Sequence, residues 1–141
     1  MELVSDASVL VKCLVDEPGS AAAVRVMRAA TEIVCPELVY AECANALWKR
    51  SHRGQVDDNA VGEALANLLA YPLQPLPLAD LTADALHIAL EFDHPIYDCY
   101  YVAAAIQSGF TLVTADRVLA GIAREIGLGD GVVLIGTQAA E

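Results

Sequence analysis

Short apolar runs alternate along the chain with longer stretches whose apolar positions recur at helical spacing. Glu2–Ser5 reads as a strand ending at Asp6, followed by a helix over Ala7–Val15 that Pro18-Gly19 breaks. Ser20 to about Ala30 is a second helix. Glu32–Cys35, β-branched at Ile33 and Val34, is a second strand. Pro36 is placed at the first position of a helix running to Arg53, with Gly54 as its stop. Val56–Ala70 is helical until Tyr71-Pro72. Leu73–Leu78, interrupted by Pro75 and Pro77, is expected at a sheet edge. A helix capped by Thr82 runs to Phe92, and another spans Asp98–Ser108 and closes at Gly109. Thr111–Thr114 is a strand, Asp116–Ile126 a helix and Val132–Ile135 the last strand. Strands that are apolar on both faces, separated by helices, predict an α/β fold with a mostly parallel sheet covered on both sides.

The 141 residues suit one domain, and a hydrophobic content of 56% allows a substantial core. No apolar run reaches the ~18–20 residues of a membrane span. Acids stand at Glu2 and Asp6, where a signal peptide carries basic residues, so a cytoplasmic location is expected. The formal charge of −11 argues against nucleic-acid binding through a broad basic surface, but not against phosphate chemistry through bound cations. Cys13, Cys35, Cys43 and Cys99 form no CxxC or CxxH pair, so they are expected to be buried free thiols and not a zinc site.

Most acids read as surface charge, Asp16, Glu17, Asp57 and Asp58 among them. Four stand in apolar surroundings: Asp6, Glu42, Asp98 and Asp116. Taken singly, Asp6, Asp98 and Asp116 suit helix N-caps, and Glu42, inside its helix, suits an exposed edge. Together they point elsewhere. Asp6 and Asp116 follow strands, whose carboxyl ends share one edge of a parallel sheet. Asp98 and Glu42 lie on helices that can reach that edge. Two unit charges ~4 Å apart repel by ~4 kcal/mol at an effective dielectric of 20, so a cluster of four demands protonation or a cation. All-oxygen donors favour Mg²⁺ or Mn²⁺. Ser8, Asn45 and Thr114 would orient such carboxylates, and equally suit a local backbone hydrogen bond, a solvated helix position and an ordinary strand position. Lys49, Arg50, His52 and Arg53 cluster at the end of the Glu42 helix; Lys49, Arg50 and Arg53, with Arg117, are candidate phosphate contacts, and equally complement a helix dipole or a neighbouring acid. His52, His87 and His94 are scattered and form no convincing ligand or base set.

Four segments carry a resemblance: Ser5-Asp6-Ala7-Ser8-Val9-Leu10-Val11-Lys12, Glu42-Cys43-Ala44-Asn45-Ala46-Leu47-Trp48-Lys49-Arg50, Tyr97-Asp98-Cys99-Tyr100-Tyr101-Val102-Ala103-Ala104-Ala105 and Leu112-Val113-Thr114-Ala115-Asp116-Arg117. In this order and spacing the chain resembles a PIN-domain ribonuclease, and within that superfamily the VapC toxins of toxin–antitoxin pairs. The resemblance runs from Leu3 to about Ile135. It implies a three-layer α/β/α PIN domain over 1–141, with Asp6, Glu42, Asp98 and Asp116 as the acidic metal site. Ser8, Asn45 and Thr114 match the polar companions of that site. The implied activity is hydrolysis of RNA phosphodiesters with one or two Mg²⁺ or Mn²⁺ ions. The implied partners are an RNA substrate, a VapB-type antitoxin and a second copy in a homodimer; the apolar positions of the helices Ser20–Ala30 and Val56–Ala70 suit dimer or antitoxin surface and, equally, core packing. Cys99 departs from the Ala common at that position, which suggests sensitivity to oxidation. Rival readings are a phosphatase, which would want a second Asp where Ser8 stands, a silent PIN-fold RNA-binding or regulatory module, and caps alone.

Overall fold

A computed structural model describes residues 1–136. Among them the elements are β1 (Glu2–Ser5), α1 (Ala7–Leu14), α2 (Ser20–Ala29), β2 (Glu32–Pro36), α3 (Leu38–His52), α4 (Asp58–Ala70), β3 (Gln74–Leu76), α5 (Leu78–Phe92), α6 (Ile96–Ser108), β4 (Thr111–Thr114), α7 (Arg117–Glu125) and β5 (Val132–Leu134), with a 3₁₀ turn at Gly129–Gly131. The strands form one sheet in the order β3-β2-β1-β4-β5. Every pairing is parallel.

The central strands β1, β2 and β4 are buried on both faces. Leu3, Val4, Leu112 and Val113 are wholly inaccessible to solvent. Helices α1, α2, α3 and α4 pack on one another; α6 packs on α5 and α7 and across β1, β2 and β4. The result is three layers with β1 at the centre. The chain leaves β1 towards β2 and β3, then returns to β4 on the other side of β1. The β1/β4 boundary is therefore a switch point, where parallel sheets open a crevice at the strands' carboxyl ends.

Several starts differ from expectation, with α4 beginning at Asp58 and not at Val56 among them. Pro36 ends β2 instead of opening a helix: it pairs with Leu76, and the following Glu37 N–H donates to the Leu76 carbonyl. Proline lacks the N–H a central ladder requires, and a strand terminus tolerates that loss. Thr82 lies inside α5, where its hydroxyl bonds back to the Leu78 carbonyl; Pro77, held extended, is the cap residue. Asp98 lies in the first turn of α6, whose cap residue is Pro95. Gly109 does close α6, at φ +74°. The proline-bearing strand does lie at the sheet edge. All four cysteines are free, Cys35, Cys43 and Cys99 being buried and Cys13 half-buried. Among the described residues no helix is long and apolar enough to cross a membrane.

Candidate active site

Asp6 follows β1 and caps α1, accepting from the Val9 N–H. Asp116 stands after the neighbouring strand β4 and caps α7, accepting from Val118 and Leu119. The parallel register carries both carboxylates to one edge, and the Asp6 N–H itself bonds the Val113 carbonyl. The second turn of α3 contributes Glu42 and the first turn of α6 contributes Asp98. All four line one pocket of about 340 Å³, together with Ser8, Asn45, Lys49, Arg50 and Tyr101.

Hydroxyls hold the centre of this pocket. Ser8 Oγ donates to Asp6 Oδ1 at 2.6 Å, and Thr114 Oγ1 donates to Asp6 Oδ2 at 2.5 Å. Backbone groups lock both: the Ala115 N–H donates to Ser8 Oγ and the Asp116 N–H to Thr114 Oγ1. Asp6 is 5% exposed, and burial pushes its carboxyl up to about 6 against the opposing pull of these hydrogen bonds. The nearby Asp98 charge adds to the rise. Burial also raises Glu42, against the stabilising hydrogen bond it accepts from Tyr101.

Two contacts escaped the sequence pattern. The buried Tyr101 hydroxyl donates to Glu42 Oε1 at 2.5 Å, across 59 positions of chain. His94, read as scattered, bonds Asp98 Oδ2 through Nε2 at 2.9 Å. The i, i+4 spacing of His94 and Asp98 was available in the sequence; nothing in it linked Tyr101 to Glu42.

The basic residues divide. Lys49 and Arg50 line the pocket, while Arg53 and Arg117 are exposed and do not. Arg50 is already engaged: its Nε and Nη2 bond the two oxygens of Glu17, at 2.8 and 3.0 Å. Glu17, expected as plain surface charge, also pairs with the nearly buried Lys12. Asn45 lies on the pocket wall but has no hydrogen bond to a carboxylate among the described residues.

The donor set suits a hard divalent cation. Glu42, Asp98 and Asp116 each keep one carboxylate oxygen without a hydrogen bond among the described residues. No thiol lines the pocket. Among the described residues the carboxylates share a wall without closing into a cage of three or more metal donors.

The fold and this acid-lined crevice place the chain among the parallel α/β proteins that gather carboxylates at a sheet switch point. Its sequence matches the family model described as PIN domain over residues 3–125, and the chain belongs to that family. It is 35% identical over 122 residues to Ribonuclease VapC3 of Pyrobaculum aerophilum, an alignment covering 85% of this chain and 93% of that protein. The crystal structure of VapC20 of Mycobacterium tuberculosis, a sarcin-ricin loop cleaving toxin, superposes with a TM-score of 0.69 at 17% identity, covering 84% of this chain and 93% of that one. VapBC2 of Rickettsia felis, bound to a DNA fragment from its promoter, gives 0.63 at 14% identity, covering 96% and 98%.

Proposed function

We propose that the protein is a divalent-metal-dependent endoribonuclease that acts as the toxin of a type II toxin–antitoxin pair in the cytoplasm. One observation carries the chemistry: Asp6, Glu42, Asp98 and Asp116, from four separate segments, line a single pocket whose cations are Lys49 and the already paired Arg50. Kinship with Ribonuclease VapC3 supports RNA as the substrate. The VapBC assembly among the structural neighbours supports a VapB-type antitoxin as partner. A homodimer and a single PIN domain over 1–141 complete this reading.

In it, Glu42, Asp98 and Asp116, through their free oxygens, and Asp6 would hold one or two Mg²⁺ or Mn²⁺ ions. A bound divalent ion supplies charge neutralisation at the scissile phosphate and a water acidic enough to attack near neutral pH. The chain's own residues supply the geometry. Ser8 and Thr114 fix both oxygens of Asp6, and the Tyr101 hydroxyl fixes one oxygen of Glu42. Lys49 on the pocket wall offers a point charge to a non-bridging phosphate oxygen. Glu17 holds the Arg50 guanidinium at the rim, where it shapes the wall more than it meets substrate.

The test is cleavage of purified RNA by wild-type protein with Mg²⁺ or Mn²⁺, with chelator, and after Asp98→Asn or Glu42→Gln. Cleavage that vanishes with chelator and in both variants, while circular dichroism stays native, supports the reading. Wild-type rates in chelator would overturn it.

A further inference from the structure

Helix α3 carries a feature that the hydrolytic chemistry leaves unused. Its solvent face presents Asn45, Trp48, Lys49, His52 and Arg53, all exposed. Trp48 stacks on His52, with ring centroids 5.2 Å apart and planes 13° from parallel. With His52 stacked on its ring, Trp48 is still 58% exposed as a residue. Trp48 stands about 60° around the helix and ~4.5 Å along it from Asn45, which lines the acid pocket beside Lys49. Lys12 and Arg50 are tied to Glu17, whereas Lys49 and Arg53 form no ion pair among the described residues. A chain of net charge −11 thus keeps two cations without an ion pair among the described residues beside its one tryptophan, on the helix that lines the pocket through Asn45 and Lys49.

This is the chemistry of single-stranded nucleic-acid recognition. An unpaired base stacks on an aromatic face while cations meet the flanking phosphates; a duplex hides its base faces. A purely apolar protein helix would gain less from a surface whose neighbours are Asn45, Lys49 and Arg53. The exposed Leu65 and Leu69 of α4 form a plainer apolar surface. We propose that the Trp48–His52 stack is a platform for an unpaired RNA base next to the scissile phosphate, with Lys49 and Arg53 neutralising adjacent phosphates. The proposal rests on the RNA-cleavage reading and adds which face of the chain holds the base beside the cut.

The experiment titrates a mixed-sequence single-stranded oligoribonucleotide, and a perfect duplex of the same sequence, into the Asp6→Asn protein in Mg²⁺. Asn also caps helices, which favours retention of the fold. Trp48 reports directly because the chain has one tryptophan. The single strand is expected to quench its emission and the duplex to leave it nearly unchanged. Fluorescence anisotropy of a labelled strand should show affinity weakened about 5- to 100-fold by Trp48→Ala and less by Trp48→Phe. Lys49→Ala and Arg53→Ala should each flatten the salt dependence. Equal quenching by duplex, or unchanged affinity in Trp48→Ala, overturns the proposal. So does emission that responds to the antitoxin and not to RNA, which assigns the face to a protein. Trp48-dependent binding by a wild-type protein that cleaves no RNA would keep the platform and remove the hydrolysis.

Discussion

Asp6 and Asp116 stand after adjacent strands, and each accepts backbone N–H groups from the helix it caps. Their surroundings differ. Asp6 is almost completely buried, with hydroxyls on both oxygens. Asp116 is half-buried and commits one oxygen to its cap, leaving the other open to the pocket. The same local device thus yields a rigid, desolvated acid at the centre and a more accessible one at the rim. A third cap, Asp57 at the start of α4, accepts from the Ala60 N–H on the exposed surface and does not line the acid pocket. It shows what the device does when capping is its whole role.

Activity should separate the three most sharply. Asp6→Asn and Asp116→Asn are each expected to cut metal-dependent RNA cleavage by on the order of 10²–10³-fold, measured as initial rates on one substrate. Asp57→Ala should leave the rate intact. Full activity in Asp116→Asn would reduce that residue to a cap.

Stability against pH is the next largest effect, and it should single out Asp6. Its folded carboxyl titrates at about 6, above the ~3.9 of an unfolded chain, so the native state binds the extra proton between these values. Stability contributed by that proton is present in full below about pH 4 and is lost as pH rises through 6, by about 3 kcal/mol. Denaturant melts in chelator should show this decline in wild type and Asp116→Asn, and a flatter profile in Asp6→Asn. A decline of equal size in Asp6→Asn would assign it to other groups.

Tyr101→Phe removes the hydroxyl from Glu42 without opening a cavity. Titration calorimetry with Mn²⁺ should find affinity lowered by roughly 10-fold or more, the usual cost of losing a group that orients a metal ligand. Unchanged affinity would leave Tyr101 a packing role. Smallest of all, Asp57→Ala should cost about 1 kcal/mol of stability, read by the same melts, as lost caps do.

The contrast also explains which features the sequence reveals. The strands and most helices follow from apolar runs and periodicity, and the four acids stand out because each interrupts such a run. Starts were harder to place. Pro36, Thr82 and Asp98 all have residue types that suit helix openings, and each was displaced by context: β3 pairing extends β2 through Pro36, and Pro77 and Pro95 begin their helices earlier. Contacts such as Tyr101 to Glu42, or Glu17 to Arg50, join positions 59 and 33 residues apart. They depend on how the layers pack, which residue type and local spacing do not encode.

Placing β1 at the middle of the sheet also sets an order of events during synthesis. The hydrogen bond from Thr114 to Asp6 spans 108 positions, and Asp116 comes later still. A growing polypeptide released before that point has three of the acids but no β4 to close the pocket around them. The acid pocket therefore closes only after most of the chain has left the exit tunnel of the ribosome.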